Sequence, residues 1–271
     1  MTLSPAQLDE ILERALAVAG QAGDLLLEGL NKPKEIVHKG QVDLVTQYDR
    51  AAEKLICETL SSSFPDIGIL AEEGGQKGNI DGSAMWIVDP LDGTTNFSAG
   101  HPVFAVSIGL QDEGSQVLGV IGMPALGMTV WARAGGGAFC NGEPISVTQT
   151  RDLDKSLVAT GFPYDRRTVD DDNTREYRAF MKSALGVRRC GAAAVDMAFV
   201  ARGVYDGFWE PRLQPWDLAA GTAIIREARG RVTDYSGEDL DVHQGWVVAS
   251  NGMIHSSMLA VIERTRKTGT H

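Results

Sequence analysis

Apolar residues near the start of the chain recur at the spacing of an amphipathic helix. Ser4, Pro5 and Gln7 are typical of a helix start, because serine caps the helix, proline suits its first turn and glutamine can close a capping box. The apolar positions that follow, three or four residues apart, are Leu8, Ile11, Leu12, Ala15, Leu16, Ala19, Ala22 and Leu26. This spacing predicts one long helix, and a second helix is predicted from Thr46, with Asp49 three residues later.

Short apolar runs between turn residues predict strands over residues 67–71, 85–88, 103–110, 116–122, 127–134, 206–210 and 246–250. Further helices are predicted over residues 174–185 and from Pro215 to about 228. Asn141-Gly142 is a strong hairpin signal. The second half begins near Asp152 without a linker, so we expect two fused subdomains, 1–150 and 151–271, in one structural unit. Periodicity alone predicts a mixed α/β chain with many hairpins.

Two carboxylates flank a proline where the strand over residues 85–88 ends. Pro90 has no N–H group to donate, so the strand is expected to stop at Asp89. Asp92 follows on a tight turn, and Gly93 and Thr94 lead into an expected helix start whose N–H groups would favour an anion. Cation ligands beside a phosphate cradle suit metal-assisted phosphate ester chemistry. The alternative is that both aspartates only cap a turn.

Composition and charge narrow the classes of function. The chain has 271 residues and a net charge of −11, which argues against a general nucleic-acid or anionic-membrane surface. A phosphorylated substrate would also be repelled unless bound cations reversed the local field. Three cysteines without a CxxC motif indicate reduced thiols, and no signal peptide or membrane-spanning run is expected, so a cytoplasmic location is predicted.

Two motifs resemble the signatures of a known family. The stretch Asp89-Pro-Leu-Asp-Gly-Thr94 is similar to the Asp-Pro-(Ile/Leu)-Asp-Gly-Thr signature of the inositol monophosphatase family, which comprises magnesium-dependent, lithium-sensitive sugar phosphatases. The stretch Trp216-Asp-Leu-Ala-Ala-Gly221 resembles the family's second signature, Trp-Asp-x-Ala-Ala/Gly-Gly. Weaker matches include the segment from Lys39 to Asp49 and the Glu72-Glu73 pair, and together the matches span nearly the whole chain.

The resemblance implies a metal site made only of oxygen donors. Its expected ligands are Glu72, Asp89, the Leu91 carbonyl, Asp92 and Asp217. No histidine or cysteine joins them, so two or three Mg²⁺ ions, or Mn²⁺, are favoured over zinc or copper. On its own, Glu72 would be taken for a solvated residue, and Asp217 for an aspartate favoured by a helix dipole.

The resemblance also implies roles in catalysis and in substrate binding. The expected catalytic residues are Asp49, Glu72, Asp92 and Thr94, with a metal-activated water held by Thr94 and indirectly by Asp49. The expected substrate-binding residues are Lys39, Asp92, Gly93, Thr94, Ala193 and Glu210. Without the resemblance, Asp49 is better explained as a capping-box partner.

The implied fold is α+β, a layered α-β-α-β-α sandwich with two mainly antiparallel sheets, and the implied assembly is a homodimer. The implied activity is hydrolysis of inositol-1-phosphate or a similar sugar or polyol monophosphate. Alternatives of the same fold are a fructose-1,6-bisphosphatase, a histidinol phosphatase or an adenosine 3′,5′-bisphosphate phosphatase, for which Arg188, Arg189 or Arg212 could bind a second phosphate. An alternative of another class is a non-enzymatic dimeric regulatory protein.

Overall fold

The computed structural model describes residues 3–38, 44–79 and 82–268. Within these residues the chain forms seven α-helices, which are α1 (Pro5–Leu30), α2 (Gln47–Ser63), α3 (Thr94–Ser98), α4 (Thr174–Ser183), α5 (Ala193–Ala201), α6 (Pro215–Glu227) and α7 (His255–Thr268). Two single-turn 3₁₀ helices, Pro124–Leu126 and Leu153–Lys155, occur in connections.

The described strands form one large sheet, one smaller sheet and a two-stranded ribbon. The large sheet has the order β10-β9-β8-β7-β6-β5-β3-β4, the smaller one β12-β11-β13-β15-β14, and the ribbon pairs β1 with β2. The strands are β1 (Val37–His38), β2 (Leu44–Val45), β3 (Gly68–Ala71), β4 (Gly75–Lys77), β5 (Ala84–Asp92), β6 (Ala105–Asp112), β7 (Ser115–Met123), β8 (Met128–Arg133), β9 (Gly137–Cys140), β10 (Glu143–Ile145), β11 (Leu157–Thr160), β12 (Gly186–Arg188), β13 (Gly207–Glu210), β14 (Arg231–Thr233) and β15 (Val247–Ser250).

Helices and sheets alternate in five layers. Helices α1 and α2 cover one face of the large sheet, and α6 lies on its other face. Helices α5 and α6 also contact the smaller sheet, whose far side is covered by α4 and α7. The predicted α-β-α-β-α sandwich is therefore confirmed. The large sheet is antiparallel except for the β3–β5 pair, whereas the smaller sheet is mixed because β11 runs parallel to both β12 and β13.

The long first helix forms as its pattern predicts. Ser4 and Gln7 make the capping box, with the Ser4 hydroxyl accepting from the Gln7 N–H group. The apolar side chains of α1 that are spaced three or four residues apart, including Leu12 and Leu26, are buried against the large sheet. The predicted hairpin is also present: β9 pairs with β10, and both residues between them, Asn141 and Gly142, have positive φ angles of 50° and 86°.

The predicted end of the central strand is wrong. Strand β5 continues through Pro90 to Asp92, because its pairing with β6 shifts register between Asp89 and Asp92. This irregularity accommodates a residue that cannot donate a backbone hydrogen bond. The end of α4 also differs, because this helix ends at Ser183 and not at residue 185.

Glycines in the large sheet let α6 lie very close to it. A Cβ atom at Gly109 would be 2.7 Å from the Cβ of Ala219, and one at Gly119 would overlap the carbonyl oxygen of Ala220. Only residues without a side chain permit this approach. The close contact brings the start of α6, with Asp217, next to the end of β5.

None of the helices in the described ranges combines the length and the apolar composition that crossing a bilayer requires.

Candidate active site

Two parallel strands bring the first acidic residues together. Ala71, the last residue of β3, pairs with Val88 of β5, and each strand is followed or ended by carboxylates. Glu72 comes directly after β3, and Asp89 and Asp92 lie at the end of β5. The carboxyl ends of adjacent parallel strands lie at the same edge of a sheet, so these three side chains meet there.

Helix α6 adds the remaining carboxylate. Asp217 is the third residue of α6, and one of its oxygens accepts the Gln214 N–H group at 2.7 Å in a capping box. Ligand oxygens of Asp89, Asp92 and Asp217 all lie within 4.8 Å of one another. A cavity of about 240 Å³ is lined by these three aspartates together with Glu72, Leu91, Gly93, Thr94, Tyr164, Gln214 and Trp216. Asp217 therefore caps α6 and also contributes a carboxylate to the acidic cluster.

The three clustered aspartates are difficult to ionise together. Burial raises the pKa of Asp89, and the neighbouring charges of Glu72, Asp92 and Asp217 raise it further. Burial is also the main cause that raises the pKa of Asp217, followed by the charge of Asp92. Burial raises the pKa of Asp92 to about 6. A positive charge placed among these oxygens would favour all of the ionised forms at once.

The start of α5 stabilises the charge of Asp92. One oxygen of Asp92 accepts the N–H group of Ala194 at 2.7 Å, in the first turn of α5. Backbone N–H groups of Ala193, Ala194 and Val195 oppose the rise in the Asp92 pKa that burial causes. The N-terminal end of a helix favours a negative charge, so α5 holds this carboxylate in place.

A buried hydroxyl links the cluster to α2. The Thr94 Oγ1 atom lies 2.9 Å from Asp49 Oδ1 and 3.1 Å from the Leu91 carbonyl oxygen, either of which can accept its single proton. Asp49 also accepts hydrogen bonds from the N–H group and the hydroxyl of Thr46, as the predicted capping box requires. Burial raises the Asp49 pKa against these hydrogen bonds. Asp49 thus caps α2 and orients Thr94.

The turn after β5 has little space for a larger residue. Gly93 has a φ angle of 89°, and a Cβ atom there would lie 3.1 Å from the Val103 carbonyl oxygen and 3.2 Å from the Ala192 Cβ. This conformation and this space both favour glycine. The helix expected near Thr94 begins there, but α3 is a short helix of five residues.

A second cavity of about 350 Å³ adjoins the acidic cluster. It shares Asp92, Gly93, Thr94, Tyr164 and Asp217 with the first cavity. Ala193 and Glu210 line only this second cavity, whereas Glu72 and Asp89 line only the first. Glu210 is 6 % exposed, and burial is the main cause that raises its pKa, followed by the charge of Asp196.

The sequence reasoning missed several residues that line this second cavity. Tyr164, Arg166 and Asp196 belong to no motif that was recognised, although Tyr164 lines both cavities. One signal could have indicated Tyr164 and Arg166 as candidate site residues. Both follow shortly after the end of β11, a strand of the smaller sheet. Arg189 and Arg212 also line this cavity, whereas Arg188 is exposed and does not.

The structure brings the expected site residues together, with one exception. Asp49 lies behind Thr94, and the other expected ligands and substrate-binding residues line one or both cavities. Lys39, an expected substrate-binding residue, and its neighbour Asp43 lie outside the described residues.

The donor atoms fit hard divalent cations. All of the expected donors are carboxylate or carbonyl oxygens, and three of the carboxylates converge within 4.8 Å. Divalent Mg²⁺ and Mn²⁺ prefer such oxygen ligands. The raised pKa values of Asp89 and Asp217 indicate a charge imbalance that a bound cation would remove.

Comparison with known proteins gives the affiliation of the chain. The family model described as "Inositol monophosphatase family" matches residues 7–267. The chain belongs to the inositol monophosphatase family. It is 43% identical over 263 residues to the inositol-1-monophosphatase of a Synechocystis species, covering 97% of this chain and 92% of that protein. It is 38% identical over 252 residues to the Nus factor SuhB of Escherichia coli, covering 92% and 94% of the two chains.

A solved structure of the family has the same fold. The inositol monophosphatase from an Anabaena (Nostoc) species superposes with a TM-score of 0.88 and 40% sequence identity, covering 95% of this chain and 96% of that one. Inositol monophosphatase family members are metal-dependent phosphatases of phosphorylated sugars or polyols. Membership therefore supports a phosphoric monoester hydrolase of this fold.

Proposed function

We propose that the protein is a magnesium-dependent phosphatase that hydrolyses inositol-1-phosphate or a similar polyol monophosphate to the alcohol and phosphate. The observation that carries this proposal is the convergence of Asp89, Asp92 and Asp217 within 4.8 Å, beside a cavity that is also lined by the buried carboxylate of Glu210. The cluster of three aspartates suits cations and phosphate, and the part of the cavity at Glu210 suits hydroxyl groups.

The metal ligands are proposed to be Glu72, Asp89, Asp92 and Asp217 with the Leu91 carbonyl, all of which line the smaller cavity. Bound there, divalent cations would neutralise the phosphate charge and lower the pKa of a nearby water. The Leu91 carbonyl also lies 3.1 Å from the Thr94 hydroxyl, and a carbonyl oxygen has two lone pairs, so both roles are compatible.

Thr94 and Asp49 are proposed to orient the attacking water. If the Thr94 hydroxyl donates its one proton to Asp49, its lone pairs are left to accept a proton from water. The water oxygen then faces the phosphorus with a lone pair. Asp49 is a positioning residue in this scheme, because it acts through Thr94. The N–H groups of Gly93 and Thr94, at the start of α3, would stabilise the equatorial phosphate oxygens.

The alcohol part of the substrate is proposed to occupy the second cavity. There the Glu210 carboxylate would accept a hydrogen bond from a substrate hydroxyl, and the backbone of Ala193 would pack against the ring. Asp92 lines both cavities and accepts the Ala194 N–H group, so it lies between the phosphate and the alcohol.

A substrate with a second phosphate is the other candidate, and the guanidinium groups favour it. Arg166, Arg189 and Arg212 all line the larger cavity of a chain whose net charge is −11. Two of them already have partners, however: Arg212 pairs with Asp165, and Arg166 donates to the Pro163 carbonyl. The charge of the third, Arg189, offsets those of the buried carboxylates Glu210 and Asp196, and Arg166 also offsets that of Glu210. The monophosphate is therefore the better supported substrate.

Phosphate release distinguishes these candidates. The purified protein, with Mg²⁺, is assayed on inositol-1-phosphate, fructose-1,6-bisphosphate, histidinol phosphate and adenosine 3′,5′-bisphosphate. We expect the highest kcat/KM on inositol-1-phosphate. A higher value on either bisphosphate would contradict the substrate assignment, and hydrolysis of none of them would favour the non-enzymatic alternative.

A further inference from the structure

Glu53 is a buried carboxylate on α2 with no role in the scheme above. It is 5% exposed and lies four residues, about one helical turn, after Asp49. A carboxylate is rarely buried unless hydrogen bonds or an opposite charge compensate the loss of water. Its compensating partners therefore show what it holds in place.

Among the described residues, these partners lie in the turn between β3 and β4 and in β4 itself. Glu53 Oε2 accepts the backbone N–H group of Glu73 at 2.7 Å. Glu53 Oε1 lies 3.6 Å from the Lys77 Nζ atom, whose side chain is half exposed. Gly74 leaves room for this arrangement, because a Cβ atom there would lie 2.6 Å from Glu53 Oε1 and would overlap Lys77 Nζ.

The same turn carries Glu72. The Glu72 N–H group donates to the Val88 carbonyl of β5 at 3.1 Å, which ties one side of the turn to the central strand. The next N–H group, that of Glu73, is held by Glu53 from α2. The position of Glu72 is thus fixed by β5 on one side and by α2 on the other.

Helix α2 therefore supports two separate parts of the site. Asp49 holds Thr94, and Glu53 holds the turn of Glu72. Residues four apart on a helix lie on the same face, so both carboxylates point in the same general direction. The first contact concerns the attacking water, and the second concerns the metal ligand Glu72.

We infer that Glu53 is a positioning residue that sets metal affinity by fixing the turn of Glu72. The inference rests on the proposed role of Glu72 as a metal ligand. Glu53 touches neither substrate nor metal in this account, since it lines neither of the two site cavities. Loss of such an outer contact typically weakens metal affinity about 10–100-fold.

The test measures metal binding directly, without substrate. Mn²⁺ is titrated calorimetrically into the metal-free wild type and into the Glu53→Ala and Glu53→Gln variants. We expect Glu53→Ala to raise the Mn²⁺ Kd about tenfold or more. Glu53→Gln is expected to have a smaller effect, because its amide oxygen can still accept from Glu73 while its NH₂ group faces Lys77. Glu58→Ala is the matched control, since Glu58 is an exposed acidic residue of α2 that pairs with Lys54.

A double-mutant cycle separates positioning from a general structural role. If Glu53 acts through Glu72, then Glu53→Ala adds no further loss of Mn²⁺ affinity once Glu72→Gln is present. Additive effects of the two substitutions would overturn the inference, and so would a wild-type Kd in both Glu53 variants. If Glu53→Ala does not fold, as judged by circular dichroism, the cycle is run with Glu53→Gln.

The proposed function and this inference fail in different ways. If the wild type binds Mn²⁺ but shows no phosphatase activity, the proposed function is contradicted. The double-mutant cycle of Glu53 and Glu72 then still tests whether Glu53 positions Glu72. A wild type that binds no Mn²⁺ would overturn both.

Discussion

At the scale of single residues, the site consists of carboxylates whose ionised forms are disfavoured by burial and, for Asp89 and Asp217, by the charges of neighbouring carboxylates. The pKa values of Asp89, Asp92 and Asp217 are all raised, and burial is the first cause for each. Such an arrangement costs stability unless a positive charge joins it. It is a feature that packing alone does not explain, and it favours a cation-binding role for the cluster.

Glu210 allows a prediction about substrate choice. Glu210→Gln keeps the size of the side chain but replaces one acceptor oxygen with a donor group. We expect a higher KM for polyol phosphates and a changed order of kcat/KM across the four substrates. A lost hydrogen bond is worth roughly 0.5–1.5 kcal/mol, so the expected change in KM is about two- to thirteenfold. Mn²⁺ affinity should change less than KM, because Glu210 lines only the second cavity.

Kinetic assays on the four substrates, together with Mn²⁺ calorimetry, check this prediction. The matched control is Glu227→Gln, since Glu227 lies at the far end of α6 and accepts the N–H groups of Gly135 and Gly137. An unchanged order of substrates in Glu210→Gln would contradict the role assigned to Glu210.

The sequence predicted the ligands better than it predicted the surroundings. Asp89 and Asp92 lie in one short motif whose residue types and spacing single them out, whereas Asp217 was singled out only by the family resemblance of its motif. Tyr164 and Glu53 reach the site, or the turn beside it, only through packing between elements that are distant along the chain. Apart from the position of Tyr164 shortly after β11, no local pattern encodes such contacts.

At the scale of elements, helices with clear caps were predicted accurately because their signals are local. Ser4 and Gln7 begin α1, and Thr46 and Asp49 begin α2, as expected. The end of β5 was wrong because the irregular pairing beside Pro90 depends on β6, which is the partner strand. The layered order of the sheets could not be derived from periodicity and came from the family resemblance.

The close packing of α6 on the large sheet gives a second prediction. A methyl group at Gly119 would overlap the backbone of Ala220, which cannot rotate away as a side chain would. Gly119→Ala should therefore lower the free energy of unfolding by roughly 1–3 kcal/mol. It should also weaken Mn²⁺ binding, because Asp217 lies in the first turn of the displaced helix.

Urea unfolding of the metal-free protein and calorimetry measure these two effects. Gly20→Ala in α1 is the matched control, since nothing lies within 4 Å of a Cβ atom there. This control should stabilise the protein by about 0.5–1 kcal/mol, because alanine suits a helix better than glycine does. A Gly119→Ala variant as stable as the wild type would contradict the packing argument.

At the scale of the whole molecule, the candidate active site lies where separate layers meet. The large sheet provides Asp89 and Asp92, α2 provides Asp49, α6 provides Asp217, and the smaller sheet provides Glu210. A fused structural unit with residues 1–150 and 151–271 as its halves stays a prediction, and it suits a site to which both halves contribute residues. A homodimer and inhibition by lithium also stay predictions.

The net charge of −11 has a consequence for the substrate as a whole. A phosphate ester approaches a molecule that repels it until cations occupy the acidic cluster. Removal of the metal should therefore abolish activity and should not merely reduce it.

The most direct test of the central claim is the release of phosphate from inositol-1-phosphate as Mg²⁺ is titrated, in the wild type and in Asp92→Asn. The wild type should be inactive in a chelator and should regain activity with added Mg²⁺. Asp92→Asn should remain folded and lose more than about 100-fold in kcat even at saturating Mg²⁺, because it removes a charge that the metal and the substrate would both use in the proposed site. Asp66→Asn, at an exposed aspartate remote from both cavities, is the control and should match the wild type. Phosphate release by the wild type in a chelator, or a near-normal kcat in Asp92→Asn, would contradict the account.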